Sequence, residues 1–254
     1  MSKEVRLEAV LFDMDGVLVD VSGSYRRAIE ETAAYFTGRQ IVPGTTQRYK
    51  SAGGFNDDWK LTHAIVTDIG IQVPLSRIVE EFQRRYRGDN WDGFIADEPP
   101  LIQTRTLELL AATGRVLGLV TGRPDAEARW TLDRFGWKRY FPLVVSREKQ
   151  EGRGKPDPFP LQRALTILSA AGRPVSAEEA VYVGDTVDDM VAARAAGLWA
   201  LGVVPPYVEN PVEYAALLRS SGAHAIIEQV DDLPAFLDAF SQHVAVEASP
   251  GGLK

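Results

Sequence analysis

The chain of 254 residues predicts an α/β protein: a mostly parallel sheet interrupted by an inserted, purely α-helical region. Three observations predict it. Short, apolar, β-branched runs recur along the chain, helix-like segments with recognisable stops separate them, and one long interval shows helical patterns alone. Apolar runs that are continuous rather than alternating suit parallel strands covered on both faces. Strands alternating with helices build an α/β sheet.

The first run, RLEAVLFD (6–13), leads into DMDG. From 21 to 99 there is no convincing strand. Tyr25, Ala28, Ile29, Thr32 and Phe36 fall at helical spacing before Gly38. Ile78, Phe82 and Tyr86 repeat it after Pro74 and Ser76, with Gly88 as the stop. The stretch GDNWDGFIADEPP (88–100) has the Gly, Asp and Pro content of a connector. Then come RVLGLVT (115–121), PLVVS (142–146), AVYVGD (180–185), LWALGVV (198–204) and a weaker HAIIE (224–228). Pro124 suits the first turn of a helix running to Phe135, with Gly136 beyond it. The segment 187–196 stops at Gly197 and places Val187, Val191 and Arg194 or Ala195 on one face. The expected division is a core of 1–20 and 100–246, a helical domain of 21–99, and a poorly ordered tail at 247–254.

Composition narrows the function. With 45% hydrophobic and 25% charged residues the mix is that of a globular protein. A net charge of −7 supplies no basic field for nucleic acid or an anionic membrane. The absence of cysteine removes disulfides, thiolate nucleophiles and zinc–thiolate sites. No apolar run has signal-peptide length at the N-terminus or approaches the roughly 20 residues of a membrane helix. A soluble, cytoplasmic protein is expected, and nothing in the sequence speaks to its oligomeric state.

Ligands of an open α/β sheet bind beyond the carboxyl ends of its strands. The first predicted strand ends in Asp13, Met14 and Asp15, and the second in Thr121, Gly122 and Arg123. A loop after the third carries Gly154, Lys155 and Pro156. The fourth ends in Gly184, Asp185 and Thr186, with Asp188 and Asp189 close behind. Two acids so close at a buried strand tip repel each other, so a positive partner, or a proton, is expected between them. Asp13 can serve as a nucleophile, and Asp15, on the same side of the extended chain, as general acid and base. With Asp185 they make three oxygen donors without His or Cys, which suit Mg²⁺. Thr121, the N–H groups after it and Lys155 would bind phosphoryl oxygens, with a helix N-terminus at Pro124 close by.

Plainer readings exist for each. Asp13 and Asp15 could be solvated acids in a turn at Gly16, Lys155 a solvated loop lysine, and Thr121 a helix cap. The phosphate-loop look of EGRGKP fails, because Lys149 stands where the first glycine belongs and Pro156 replaces the Ser or Thr.

Taken together, DMDG at 13–16, Thr121-Gly122, Lys155-Pro156 and GDTVDD at 184–189 resemble, in order and over nearly the whole chain, the haloacid dehalogenase-like phosphohydrolases. The inserted helices resemble that family's C1 cap, as in its phosphoglycolate phosphatase and β-phosphoglucomutase branch. The resemblance implies a Rossmann-like, doubly wound core and a Mg²⁺-dependent phosphatase of a small phosphorylated metabolite. Asp13 would become an aspartyl phosphate, while Asp15 would protonate the leaving oxygen and then activate water. Thr121, Gly122 and Lys155 would hold the phosphate. The Asp13 side chain, the Asp15 carbonyl and Asp185 would hold the metal, and Asp189 would orient metal waters or Lys155.

Within the cap, KSAGGFNDDW (50–59) offers Lys50, Gly53, Gly54, Asn56 and Trp59 as contacts to the leaving group. It reads equally as a helix–helix turn capped by Asn56 or Asp57, with Trp59 buried. Arg123 could reach substrate or a structural carboxylate, and Asp188 is open. His63, His224 and His243 are scattered and read as structural. A sugar-phosphate mutase and a catalytically silent phosphometabolite-binding regulator are the alternative functions. A dehalogenase would lack the acid at Asp15.

Overall fold

In the computed structural model, whose described residues are 6–247 with side chains described up to Phe240, the apolar runs form one six-stranded sheet. In chain order, β1 (Ala9–Phe12) is followed by four helices, α1 (Arg27–Thr37), α2 (Thr45–Ala52), α3 (Asp58–Asp68) and α4 (Leu75–Tyr86). Next come α5 (Thr104–Ala112), β2 (Val116–Val120), α6 (Asp125–Arg134), β3 (Leu143–Val145) and α7 (Phe159–Ala170). The chain continues with β4 (Ala180–Gly184), α8 (Val187–Ala195), β5 (Trp199–Val203), α9 (Pro211–Ser220), β6 (Ala225–Ile227) and α10 (Leu233–Glu247). The sheet order is β3-β2-β1-β4-β5-β6 and every pair is parallel, the Rossmann-like arrangement.

Every residue of β1, β2 and β4 is buried, which is why their sequences are continuous apolar runs. Successive side chains feed opposite layers. Val10, Phe12, Leu119 and Val183 enter one, and Ala9, Leu11, Val120 and Tyr182 the other. The first layer runs on into Ile29, Ile65, Ile78 and Phe82 of the inserted helices, so one apolar cluster joins the sheet to residues 21–99.

Helix ends follow their local signals. Gly38 closes α1 in the left-handed region, and a short π turn at Ser22–Arg26 leads into it. Ile78, Phe82 and Tyr86 form the buried stripe of α4. On α8 the outcome differs from the sequence pattern. Val191 and Arg194 face solvent, while Asp188, Asp189, Met190, Ala192 and Ala193 are buried. Small alanines let this helix sit close on the sheet, and its two acids turn inward toward polar partners. Asp57 rather than Asn56 caps α3, accepting from the Trp59 and Lys60 N–H groups at 3.1 and 3.3 Å. His63 bonds the Val73 carbonyl, and His224 packs on Trp199 and accepts from the Ala200 N–H. Both histidines hold structure. The expectations for the His243 side chain and for the tail beyond Glu247 fall outside the described residues. Among the described residues no helix is long and apolar enough to cross a membrane.

Candidate active site

The strand order reverses between β1 and β4, so the loops leaving these strands face each other across a crevice. Asp13 follows β1 directly and its N–H extends the pairing to the Val183 carbonyl, at 2.9 Å. The chain then turns sharply, with Val17, Leu18 and Val19 all donating to the Met14 carbonyl. Gly16 sits in this turn at φ +73°, and a Cβ there would lie 2.2 Å from Asp185 Oδ2. Glycine thus permits both the turn and the close approach of the two acid-bearing loops.

Lys155 is the buried cation of the crevice. Its ammonium lies 3.1 Å from Asp13 Oδ2 and donates to Asp189 Oδ1 at 2.5 Å and to the Tyr182 hydroxyl at 2.7 Å. The other Asp189 oxygen accepts from the Asp185 and Thr186 N–H groups and the Thr186 hydroxyl. Asp189 therefore orients Lys155 and shapes the loop that carries Asp185. A Cβ on Gly184 would come 2.4 Å from that of Asp189, so this packing too requires glycine.

Burial pushes the Asp13 carboxyl up to about 7, with Asp189 and Asp15 adding and Lys155 opposing. Burial, then Asp189 and Asp13, push Asp185 well above the carboxylate range. Burial also acts on Asp189, yet Lys155 and Thr186 outweigh it and hold that carboxyl below its usual range. One ammonium thus serves two of the three buried acids, Asp13 and Asp189. Asp13 Oδ1 and Asp185 Oδ1 are both buried without a hydrogen-bond partner, and oxygens of Asp13, Asp185 and Asp189 lie within 4.8 Å of one another. Orphaned, hard oxygen donors in an acid-rich pocket fit a divalent cation, which would favour their ionised forms. Asp13 and Asp185 are the side chains free to hold it, because both Asp189 oxygens are engaged.

A cation held there would make stability depend on the ion. Mg²⁺ at about 100 times its Kd should stabilise by about 2.7 kcal/mol, raising Tm by about 5–10 °C for a chain of this size. Thermal melts of Asp185→Asn should show almost no response. A full shift in that variant would place the ion elsewhere.

The other predicted residues are less uniformly gathered. Gly122 lines the cleft with Asp13, Asp15 and Asp185. Thr121 is fully buried, and its hydroxyl accepts from the Arg123 N–H at 3.2 Å. It closes its own turn rather than capping α6, whose N-cap is Pro124. At the α6 N-terminus, where Pro124 lines the cleft, the Asp125 N–H already donates to Glu148 at 2.9 Å. Arg123 is not free for substrate: its guanidinium bonds Asp15 and Glu98, the structural alternative of the two.

Of the cap candidates, Lys50, Asn56 and Trp59 line the cleft, with Lys50 paired to Asp58 at 2.5 Å. Gly54 lines the adjoining cavity with Asn56, Trp59, Gly122 and Lys155, and Gly53 lies against Asp188. The Gly54 N–H donates to both oxygens of Asp188, at 2.8 and 3.0 Å, which pins the cap loop to α8. Trp59 is half-buried and the Arg147 guanidinium lies over its ring at 4.4 Å.

Sequence reasoning missed Arg26, Asp57, Arg147 and Tyr207, all lining the cleft. Arg147 lies two residues beyond the end of the third strand, so the strand-end rule could have found it. It pairs with Asp57 at 2.6 Å, which ties the loop before α3 to the segment after β3.

A parallel sheet with buried acids and one lysine at its switch point, under an inserted helical segment, defines an α/β enzyme. Residues 7–197 match the family model described as haloacid dehalogenase-like hydrolase. Phosphoglycolate phosphatase, plasmid, from Cupriavidus necator is 31% identical over 229 residues, covering 90% of this chain and 92% of that protein. A protein named imidazoleglycerol-phosphate dehydratase from Phytophthora nicotianae is 32% identical over 247 residues. That match takes in 90% of this chain but 53% of the relative, so the chain spans about half of that relative's length. The crystal structure of a HAD family hydrolase from Deinococcus radiodurans R1, with bound phosphate and sodium, shares the fold. Its TM-score is 0.67 at 22% identity, over 94% of this chain and 97% of that one. The chain belongs to the haloacid dehalogenase-like hydrolase family.

Proposed function

We propose that the protein is a Mg²⁺-dependent phosphatase of a small phosphorylated metabolite, acting through an aspartyl phosphate on Asp13. One observation carries the reading: Asp13 is held by the buried Lys155 while its Oδ1 and that of Asp185 are left without partners. The bound cation would supply positive charge against Asp13, Asp185 and the phosphate oxygens. The Asp13 carboxylate attacks phosphorus as the bond to the leaving oxygen breaks, and Asp15 gives that oxygen its proton. A water then attacks the phosphorus, Asp15 takes the water proton, and the bond to Asp13 breaks, restoring the carboxylate. Lys155, backed by Asp189, stabilises the carboxylate that departs.

Residues 21–99 act in this reading as the cap. The Gly54–Asp188 and Asp57–Arg147 contacts hold its loop over the cleft, which limits substrate size and excludes bulk water. The same reading has the enzyme in the cytoplasm, where charged metabolites are retained by the membrane.

The test is phosphate release from a panel of phosphorylated metabolites, begun with phosphoglycolate in view of the Cupriavidus relative and including an aryl phosphate. Release that needs Mg²⁺ and stops on chelation is expected. An isomerised sugar phosphate without phosphate release would make it a mutase, and silence across the panel a binding regulator.

A further inference from the structure

Arg123 is a fully buried arginine with every guanidinium nitrogen engaged. Its Nη1 donates to the Thr131 hydroxyl at 3.0 Å and its Nη2 to both Glu98 oxygens at 3.0 Å. Glu98 is itself fixed by the Ser24 hydroxyl at 2.6 Å and the Tyr86 hydroxyl at 3.1 Å. The rings of Tyr25 and Tyr86 lie 5.0 and 5.7 Å from the guanidinium carbon. A planar fork held on all sides cannot swing. The remaining nitrogen, Nε, donates to Asp15 Oδ1 at 2.6 Å, and that is the only hydrogen bond of the Asp15 side chain among the described residues.

We infer that Arg123 is a positioning residue for Asp15: it ties down Oδ1 and leaves Oδ2, facing the cleft, as the oxygen that gives and receives the proton. This rests on the phosphatase reading above. Glu98 already neutralises Arg123, so the bond to Asp15 sets a direction rather than supplying the only counter-ion for a buried charge. A carboxylate that must deliver a proton and reclaim one within a turnover gains from such a fixed orientation. Glu98, Ser24, Tyr25 and Tyr86 come from the inserted helices and their connector, while Thr131 comes from α6 of the core. The packing of the two regions therefore reaches the proton carrier through one side chain.

Arg123→Lys keeps the charge, but a single ammonium cannot serve Glu98, Thr131 and Asp15 in the same geometry. With phenyl phosphate, kcat should fall about 30- to 100-fold and KM change by less than about 3-fold. Single-turnover release of 4-nitrophenolate from 4-nitrophenyl phosphate, a leaving group that departs without a proton, should fall less than about 3-fold. In an Asp15→Ala background, adding Arg123→Lys should change the residual turnover of phenyl phosphate by less than about 2-fold, because the residue it serves is gone. Equal losses with both leaving groups, or the same loss with and without Asp15, would overturn the inference. Thr131→Val removes one Arg123 acceptor and repeats the comparison, with a loss of about 5-fold on phenyl phosphate, should Arg123→Lys not fold. A silent wild type, or Asp15→Ala at full rate on phenyl phosphate, would instead overturn the phosphatase reading and this inference with it.

Discussion

Asp13→Asn should lower turnover by about 10⁵-fold or more while leaving the protein folded. The amide keeps the shape of the side chain but cannot form the aspartyl phosphate. Its effect on stability should run the other way. Asp13 is a buried acid beside Asp185 and Asp189, and its carboxyl is pushed up to about 7 because burial, with Asp189 and Asp15 adding and Lys155 opposing, disfavours its charge. Removing that charge relieves repulsion, and Lys155 keeps Asp189 and Tyr182 as partners. In the absence of metal, Tm should therefore equal or exceed that of the wild type. Phosphate release and a thermal melt measure the two halves of this prediction. Activity within tenfold of wild type would move the nucleophile to another residue.

Lys155→Met should damage both activity and stability. Breaking a buried ion pair by removing one partner costs about 3–5 kcal/mol, equivalent to roughly 6–20 °C in Tm at this chain length. Here the loss leaves Asp13 and Asp189 together without their ammonium. Turnover should fall by about 10³-fold, the scale of removing one charged donor from a developing anion. Mg²⁺ should recover part of the lost stability, because it offsets Asp13 and Asp185 but not Asp189, whose oxygens face Tyr182 and Thr186. Melts in chelator and in Mg²⁺ separate these contributions. A metal-free variant as stable as wild type would show that Lys155 does not balance the buried acids.

Much of this was legible because it is written locally. Each strand is a run of adjacent apolar residues, and each helix from α1 to α9 stops at a glycine within two residues of its end. The rule that ligands gather at strand ends pointed to Asp13, Asp15, Lys155 and Asp185, and the fold brings these four strand-end positions to one crevice. Applied to the end of the third strand, it would also have reached Arg147. Glu98 offered no signal, since it lies in a stretch that reads as a connector, yet it is buried and carries the charge of Arg123. Gly53 and Gly54 read as substrate-loop glycines, and nothing near them in sequence announces the bond from the Gly54 N–H to Asp188.

The parallel α/β sheet, the helical insertion and the acids at the strand tips are written in local sequence, because burial periodicity and turn chemistry act between near neighbours. Only the tertiary structure decided which cation serves which acid. Lys155 meets Asp13 and Asp189, and Arg123 meets Asp15 across 108 residues of chain and also Glu98. Charges attract whatever oppositely charged group folding brings within a few ångströms, and that distance is a property of the packed molecule rather than of any segment of its sequence.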